Sequence, residues 1–455
     1  MTSQSSSPVL IIGAGLAGLA LAHGLKKAHP PVPFRIFERD SSATWRAQGF
    51  RIRVAPEATG LKNLLPDDVW QAVLATSSEV RGEFGLGHRL DPVTCQPAKW
   101  EHAKLPPAPA SRTVNVDRRL LRNVLMAGLE DDISFGKKFG GYHVTPDGNV
   151  EVLFEDGSTA SGSVLVGADG QRSKVRRQLL PGLTVLDTEG RAVFGKTFLT
   201  PEVEGLVPEQ VLQALCVMQE EQNPHVRLLT DVMRFDPALD QAERARYGVP
   251  GDYIYWVLVF RKDALGLDED AANALLSSTS AQASQHALAI TGPWHEAIRG
   301  ALERGDVEDS TMVGFWTCET ENLVASWEGV DKRSPVTLIG DAGHPVPPVA
   351  AMGLHMAFRD ASDLYEALTG MSEDSGVGAK LKAIRAYEAS MVERAKATIE
   401  RSLKGVGVFF GMRPVGELKP ASLTQERAGY EISQEDLHVE LYNICYARIY
   451  PSLIN

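Results

Sequence analysis

The feature that most constrains this chain is Gly13-Ala-Gly15-Leu-Ala-Gly18, which follows the β-rich run Val9–Ile12 and opens a helix predicted over residues 16–27. Phe34, Ile36 and Glu38 mark a second strand, so the opening reads as a β-turn-α-β unit of a buried parallel sheet. Each glycine has a physical task. Gly13 allows the tight turn, Gly15 lets the backbone approach a pyrophosphate, and Gly18 lets helix and strand pack closely. The helix N-terminus offers free N–H groups and its positive dipole end to that pyrophosphate. Glu38, twenty residues beyond Gly18, is placed to accept hydrogen bonds from adenosine ribose hydroxyls. The unit fits a dinucleotide and does not by itself separate FAD from NAD.

Two further segments narrow that choice. Gly167-Ala-Asp169-Gly170-Gln-Arg172-Ser173-Lys-Val-Arg176 follows a buried strand, Val164-Leu165-Val166. Taken alone, its Asp-Gly is a turn and its cations a solvated face. Gly340-Asp341-Ala-Gly343-His344-Pro345 follows the run Val336–Ile339 and continues through Pro347-Pro348 to Gly353. A carboxylate at a strand's carboxyl end suits the hydroxyl-rich ribityl chain of a flavin. From Gly353, residues Leu354, Ala357, Phe358, Ala361, Leu364, Tyr365 and Leu368 share one helical face. The positive end of that helix would stabilise a flavin that becomes anionic when reduced.

In this order, the three motifs resemble the FAD-dependent single-component (class A) aromatic hydroxylases, the p-hydroxybenzoate hydroxylase superfamily. The likeness runs over about residues 9 to 400 and is nearest to fungal secondary-metabolite members. It implies that Gly13, Gly15, Gly18 and Glu38 bind the ADP part of FAD. It implies that the Gly167–Arg176 segment, with Asp169, is the signature that touches both FAD and passing NAD(P)H. Asp341 would hold the ribityl chain, with Gly353 and Leu354 continuing along the flavin. Arg118, in Val116-Asp-Arg118-Arg-Leu-Leu121, stands where the family has an FAD-contacting arginine. Gly49, in Arg46-Ala-Gln-Gly49-Phe-Arg51-Ile-Arg53, matches the glycine of the strand that runs past the flavin. The segment Gly190–Thr197 resembles the first strand of the fungal substrate sheet. Ala350, Ala351 and His355 depart from the family's Gly-Gly pair and Asn, and Met391 stands where relatives often carry Arg. Two alanines limit positive φ and are expected to stiffen the loop beside the isoalloxazine.

The expected fold is α/β: a Rossmann-like FAD-binding domain of the GR2 flavoprotein type, an inserted mixed β-sheet substrate domain, and C-terminal helices. The FAD-binding parts are 1–75, 111–185 and 326–370. Substrate-domain parts are 76–110 and 186–325, and 371–455 is a C-terminal helical region. Within them, β-rich segments are predicted at 191–198, 211–218, 253–261 and 311–318. Residues 264–305 and 378–404 are predicted to be helical, a hairpin turns at Asp156-Gly157, and the proline-rich 103–110 is a loop.

The resemblance implies a monooxygenase. NADPH or NADH reduces FAD, O₂ adds to give a flavin C4a-hydroperoxide, and its distal oxygen hydroxylates or epoxidises an electron-rich aromatic ring or alkene. Arg191, entering the substrate sheet, is the candidate cationic catalytic donor. Arg51 and Arg53 alternate on one strand as further candidates. Phe194, Phe198, Tyr253, Tyr255, Trp256, Phe315 and Trp316 are candidates for an aromatic wall around a bulky, mostly apolar substrate, and alternation puts about half of them on one side. A flavin oxidase or dehydrogenase on the same scaffold is the alternative, and an FAD-binding protein without turnover is a third reading. No second G-x-G-x-x-G appears, so the nicotinamide cofactor is expected to bind transiently over the Asp169-Gly170 surface. The paired cysteines of the disulfide reductases and the Trp-x-Trp-x-Ile-Pro stretch of flavin halogenases are missing.

Composition adds exclusions. With 58 acidic and 46 basic residues the 455-residue chain carries a net charge of -12, which repels phosphate backbones and anionic lipid. Nucleic-acid partners and stable membrane insertion are therefore not expected. The acidic total hides a basic patch, Arg172, Lys174, Arg176 and Arg177, where an anionic nicotinamide cofactor would approach. Four widely spaced cysteines read as reduced, buried thiols of a cytoplasmic protein. His344 and His355 fit no metal-ligand spacing, and no metal is expected.

Overall fold

The computed structural model describes residues 7–43, 50–80, 87–98, 113–265, 269–347, 352–370 and 377–421. Gly49, Ala350, Ala351, Cys445 and the loop 103–110 lie outside them.

Val9–Ile12 is buried at all four positions, as the centre of a parallel sheet requires. It pairs in parallel with Phe34–Phe37 on one side and Val164–Gly167 on the other. Val336–Leu338 and Ile133–Ser134 complete the two edges. Five strands that build one sheet thus come from widely separated parts of the chain. Helix Leu16–Lys27 lies against helix Gly353–Thr369, an approach that a side chain at Gly24 would obstruct, since its Cβ would sit 3.0 Å from the Tyr365 ring.

The second large sheet has the order Thr311–Thr317, Leu186–Phe198, Tyr253–Arg261, Val226–Met233, Cys216–Gln219 and His88–Leu90. Lys419–Pro420 adds to it by pairing with Leu186 and Asp187. One face, with Val193, Ile254, Trp256, Leu258 and Phe260, packs under helices Ser280–Ile290 and Glu296–Glu303. The other face carries Ala192, Phe194, Tyr253, Tyr255, Val257 and Val259 and meets Leu120 of helix Arg118–Met126. Alternation therefore divides the aromatic residues as period two demands. Phe194, Tyr253, Tyr255 and Phe315 share the second face, Trp256 takes the first, and Phe198 is 37% exposed. A small sheet of Arg51–Val54, Val114–Asp117 and Ser78–Glu79 stands against that second face.

Some boundaries differ from expectation. Residues 211–218 are not one strand. Pro208 caps the short helix Glu209–Gln213, and the strand begins only at Cys216. Val226–Met233 is a central strand that sequence patterning passed over, because Arg227 and Asp231 interrupt its apolar run. The C-terminal helix extends over Val377–Phe410. Cys95, Cys216 and Cys318 are free thiols, and burial pushes Cys216 and Cys318 up to about 12. Among the described residues no helix is long and apolar enough to cross a membrane.

Candidate functional site

The glycine turn is built against the Asp169 loop. Gly13 has φ +108°, and a Cβ there would lie 2.5 Å from the carbonyl oxygen of Ala168. At Gly18 a Cβ would meet the Gly13 carbonyl at 2.4 Å, whereas at Gly15 it would meet nothing closer than 3.8 Å. Two of the glycines thus close the turn and the third leaves room. Gly15 caps the helix without a side-chain hydrogen bond, and no acidic residue occupies the first turn. Its leading N–H groups are available to an anion.

Glu38 is held beside this turn. One carboxylate oxygen accepts from the Ala14 N–H at 2.9 Å and the other from the Asp40 N–H at 3.0 Å. Each oxygen keeps a second acceptor position for a hydroxyl. Arg122, which the sequence reading did not single out, ties the turn together. It donates to the carbonyls of Ala14 and Ala43, both at 2.9 Å, and stands 3.9 Å from Glu38.

Asp169 spends its carboxylate locally. It accepts from the Ser173 hydroxyl at 2.5 Å and from the N–H groups of Lys174 and Val175 at 2.8 and 3.3 Å, so it organises the start of helix Lys174–Leu179. Burial raises its carboxyl above the ordinary range. Arg176 is not part of a solvated patch: it is 2% exposed, and the loop turns it inward. Its guanidinium donates to the carbonyls of Gln171, Asp341 and Ala342, at 2.5, 2.9 and 3.1 Å, and so joins the second motif to the third. The accessible basic surface reduces to the half-buried Arg172 and Lys174 and the exposed Arg177, with Lys174 paired to Glu155 and Arg172 stacked 5.6 Å over Trp316.

The third motif rests on a buried network. Gly340 has φ +59° and its N–H donates to Asp360 at 3.0 Å. His344 donates to the same carboxylate at 2.6 Å, and Arg394 reaches its other oxygen at 3.1 Å. Burial works against the imidazolium, but Asp360 together with Asp341 and a backbone hydrogen bond outweighs it and the His344 pKa is raised. Asp341 projects beside the start of helix Gly353–Thr369: a Cβ on Gly353 would lie 3.9 Å from its carboxylate. That helix also lacks a side-chain cap, and Leu354 follows buried. Burial raises the Asp341 carboxyl, against the pull of His344, Arg176 and Arg118. His355 accepts from the Ala55 N–H at 2.9 Å and so tethers the helix start. Among the described residues no cluster could hold a metal ion.

Toward the substrate sheet, aromatic and cationic groups alternate. Arg118 lies 5.6 Å over Phe50, Phe50 lies 4.8 Å from Phe194, and Phe194 lies 6.2 Å from Tyr255. Arg51 sits 5.2 Å over Tyr255, and both Arg51 and Arg53 pair with Asp231, the latter at 3.0 Å. Arg191 lies on the opposite face. Its cross-strand partner is Phe260, and its two arms form a bidentate pair with Asp187 at 2.8 and 2.9 Å. Four residues apart on one strand, the two side chains fall on the same side. The geometry does not bring Arg191 to the Phe194 face.

Two uncapped helix N-termini, the carboxylates of Glu38 and Asp341 beside them and the Arg118 guanidinium are groups that fit a diphosphate, a ribose and a ribityl chain such as FAD presents. Gly15 keeps open the cradle that a side chain would narrow. Fold and site thus define a Rossmann-type fold suited to FAD, with a second large sheet beside it. The family model "FAD binding domain" matches residues 324–402. The chain is 35% identical over 435 residues, 90% of its length, to the dual O-methyltransferase/FAD-dependent monooxygenase CTB3 of Cercospora beticola, and it spans 47% of that relative. It therefore covers about half the length of such dual-function relatives. It is 28% identical to the FAD-dependent monooxygenase dbaB of Emericella nidulans, covering 80% of this chain and 87% of that one. A Photorhabdus luminescens structure described as an FAD containing monooxygenase superposes with a TM-score of 0.70 at 25% identity, over 89% of this chain and 99% of that one. Across these comparisons the chain is similar to FAD-dependent monooxygenases over most of its length.

Proposed function

We propose that the chain is a cytoplasmic FAD-dependent monooxygenase of secondary metabolism. It takes electrons from NADPH or NADH and one oxygen atom from O₂ to hydroxylate or epoxidise a bulky, mostly apolar aromatic or alkene substrate. The observation that carries this reading is the sheet face of Phe194, Tyr253, Tyr255 and Phe315, turned toward Phe50 and Arg118 at the edge of the nucleotide domain. FAD, when bound, supplies two-electron redox chemistry and activation of O₂.

The chain's own residues bind and orient. The Gly15 helix end and Glu38 hold the ADP part, while Asp341, Gly353 and Leu354 line the ribityl side. Arg172 and Arg177 offer charge to a passing nicotinamide cofactor. Aromatic side chains exclude water and hold a flat apolar substrate. For Arg191 the bidentate Asp187 pair, on the face opposite Phe194, supports a role in holding the start of strand Leu186–Phe198.

Incubation with FAD, NADPH or NADH and a panel of polycyclic phenols and alkenes under ¹⁸O₂ tests the reading. Label in the product, with flavin bleaching and recovery, is the expected result. Unlabelled oxidised product would replace this reading with the oxidase alternative. An absence of flavin reduction with every substrate would remove the enzymatic reading. Product formed per NAD(P)H in Arg191→Met tests the donor role, which normal coupling in that variant would exclude.

A further inference from the structure

Lys196 is an ammonium group buried in an apolar sheet, with 0% of the residue exposed. It lies on the same face as Phe194 and directly across from Tyr255. Its Nζ is 2.6 Å from one oxygen of Asp117, 3.3 Å from Asp309 and 4.6 Å from the ring centroid of Tyr253. The Tyr253 hydroxyl donates to that same Asp117 oxygen at 2.9 Å. The other Asp117 oxygen caps helix Arg118–Met126, accepting from the N–H groups of Arg119 and Leu120 at 2.9 and 3.1 Å. One carboxylate is thus divided between two domains: half of it starts the helix and half is gripped by the substrate sheet.

Stability alone is a weak reason for this arrangement. A buried ion pair usually gains little over apolar residues of similar volume, because desolvation offsets the Coulomb attraction. What it does provide is geometric definition. Asp117 sits immediately before Arg118, and its backbone pairs with Arg51, so both cations beside the aromatic face spring from the point that Lys196 holds. A second pair of reversed polarity, Asp231 of the sheet with Arg51 and Arg53, lies on the same face. The two pairs together fix the sheet against the nucleotide domain in one register.

We propose that Lys196 is a positioning residue for the flavin site, acting through Asp117 to fix the helix turn from which Arg118 projects. The inference rests on the FAD-binding reading above. It is tested by a cycle of Lys196→Met, Arg118→Ala and both together, with Lys196→Arg as the conservative control. FAD affinity is read by flavin fluorescence without substrate, alongside visible circular dichroism of the bound flavin and apoprotein melting. Expected is a loss of affinity of about tenfold in Lys196→Met with an altered flavin spectrum, and recovery of most of it in Lys196→Arg. In the Arg118→Ala background, Lys196→Met should cost little further affinity. Independent, additive losses would overturn the proposal, as would an unchanged affinity and spectrum in Lys196→Met. If Lys196→Met fails to fold, Lys196→Met/Asp117→Asn keeps a capping side chain without a buried unpaired charge. That double variant should melt normally and still bind FAD weakly, and wild-type affinity in it would equally overturn the proposal. Failure of the unsubstituted protein to bind FAD would instead remove the underlying reading.

Discussion

Arg176 donates to the main-chain carbonyl of Asp341 at 2.9 Å, so a side chain of the second motif holds the backbone of the third in place. The contact spans two neighbouring strands of the parallel sheet, Val164–Gly167 and Val336–Leu338. It makes the two segments one structural unit.

Replacing Arg176 with Met leaves three buried carbonyls without their donor. The expected cost is about 2–4 kcal/mol of stability together with loss of FAD on gel filtration. Arg176→Lys should recover little, because a single ammonium cannot span carbonyls that a planar fork reaches from both sides. Melting temperature and retained flavin absorbance are the measurements. A fully stable lysine variant would show that charge, not the fork, matters.

Gly13 and Gly15 should respond differently to alanine. At Gly13 the new Cβ would fall 2.5 Å from the Ala168 oxygen at a φ of +108°, so Gly13→Ala is expected to fold poorly even as apoprotein. At Gly15 the nearest atom would be 3.8 Å away. Gly15→Ala should therefore keep the apoprotein's melting temperature and lose FAD affinity, as fluorescence titration would read. Equal loss of fold in both would refute the division of roles.

Glu388 gives stability a pH dependence. Its carboxyl is pushed up to about 7 by burial, against the pull of Arg385. A folded pKa above the unfolded value means that the native state binds the extra proton. Stability is then fully present below the unfolded carboxyl range and declines as pH rises through about 7. Glu388→Gln removes this dependence. Its melting temperature relative to the unsubstituted chain should rise between pH 5 and pH 8, by an amount worth roughly 3 kcal/mol at most. A parallel pH profile in the two proteins would contradict the assignment.

Arg191→Met should destabilise the fold by about 3–5 kcal/mol, because it strands the carboxylate of Asp187 inside the sheet. Adding Asp187→Asn should return much of that loss. Denaturant unfolding of the two variants separates this from a purely catalytic role, for which the single variant would melt normally.

Local signals made the nucleotide domain readable. A glycine turn between a β-rich run and an amphipathic helix needs only neighbouring residues to be recognised, and Gly13, Gly15, Gly18 and Glu38 stand together as their spacing implied. What escaped reading depends on distant partners. Lys196 and Asp117 are 79 residues apart, and no pattern joins them. Still, a lysine two places after Phe194 and an aspartate opening a helix were each visible as a charge on an otherwise apolar face and as a cap. Arg176 resembles its solvated neighbours in sequence and differs only in burial. Arg191 stands three residues before Phe194, so alternation alone puts the two on opposite faces of the strand.

The parallel sheet also sets an order of events during synthesis. Val336–Leu338 belongs beside Val164–Gly167, yet five strands of the second sheet, from Leu186 to Thr317, are made between them. A growing chain therefore completes Gly13, Glu38 and Asp169 long before Asp341 and the Gly353 helix exist. Until then the sheet has an unpaired edge, a surface prone to pairing with other chains. Flavin can act as a folding template only once the chain has been made past the Gly353–Thr369 helix. A truncation ahead of Val336 is expected to yield an aggregating chain, not a smaller flavoprotein.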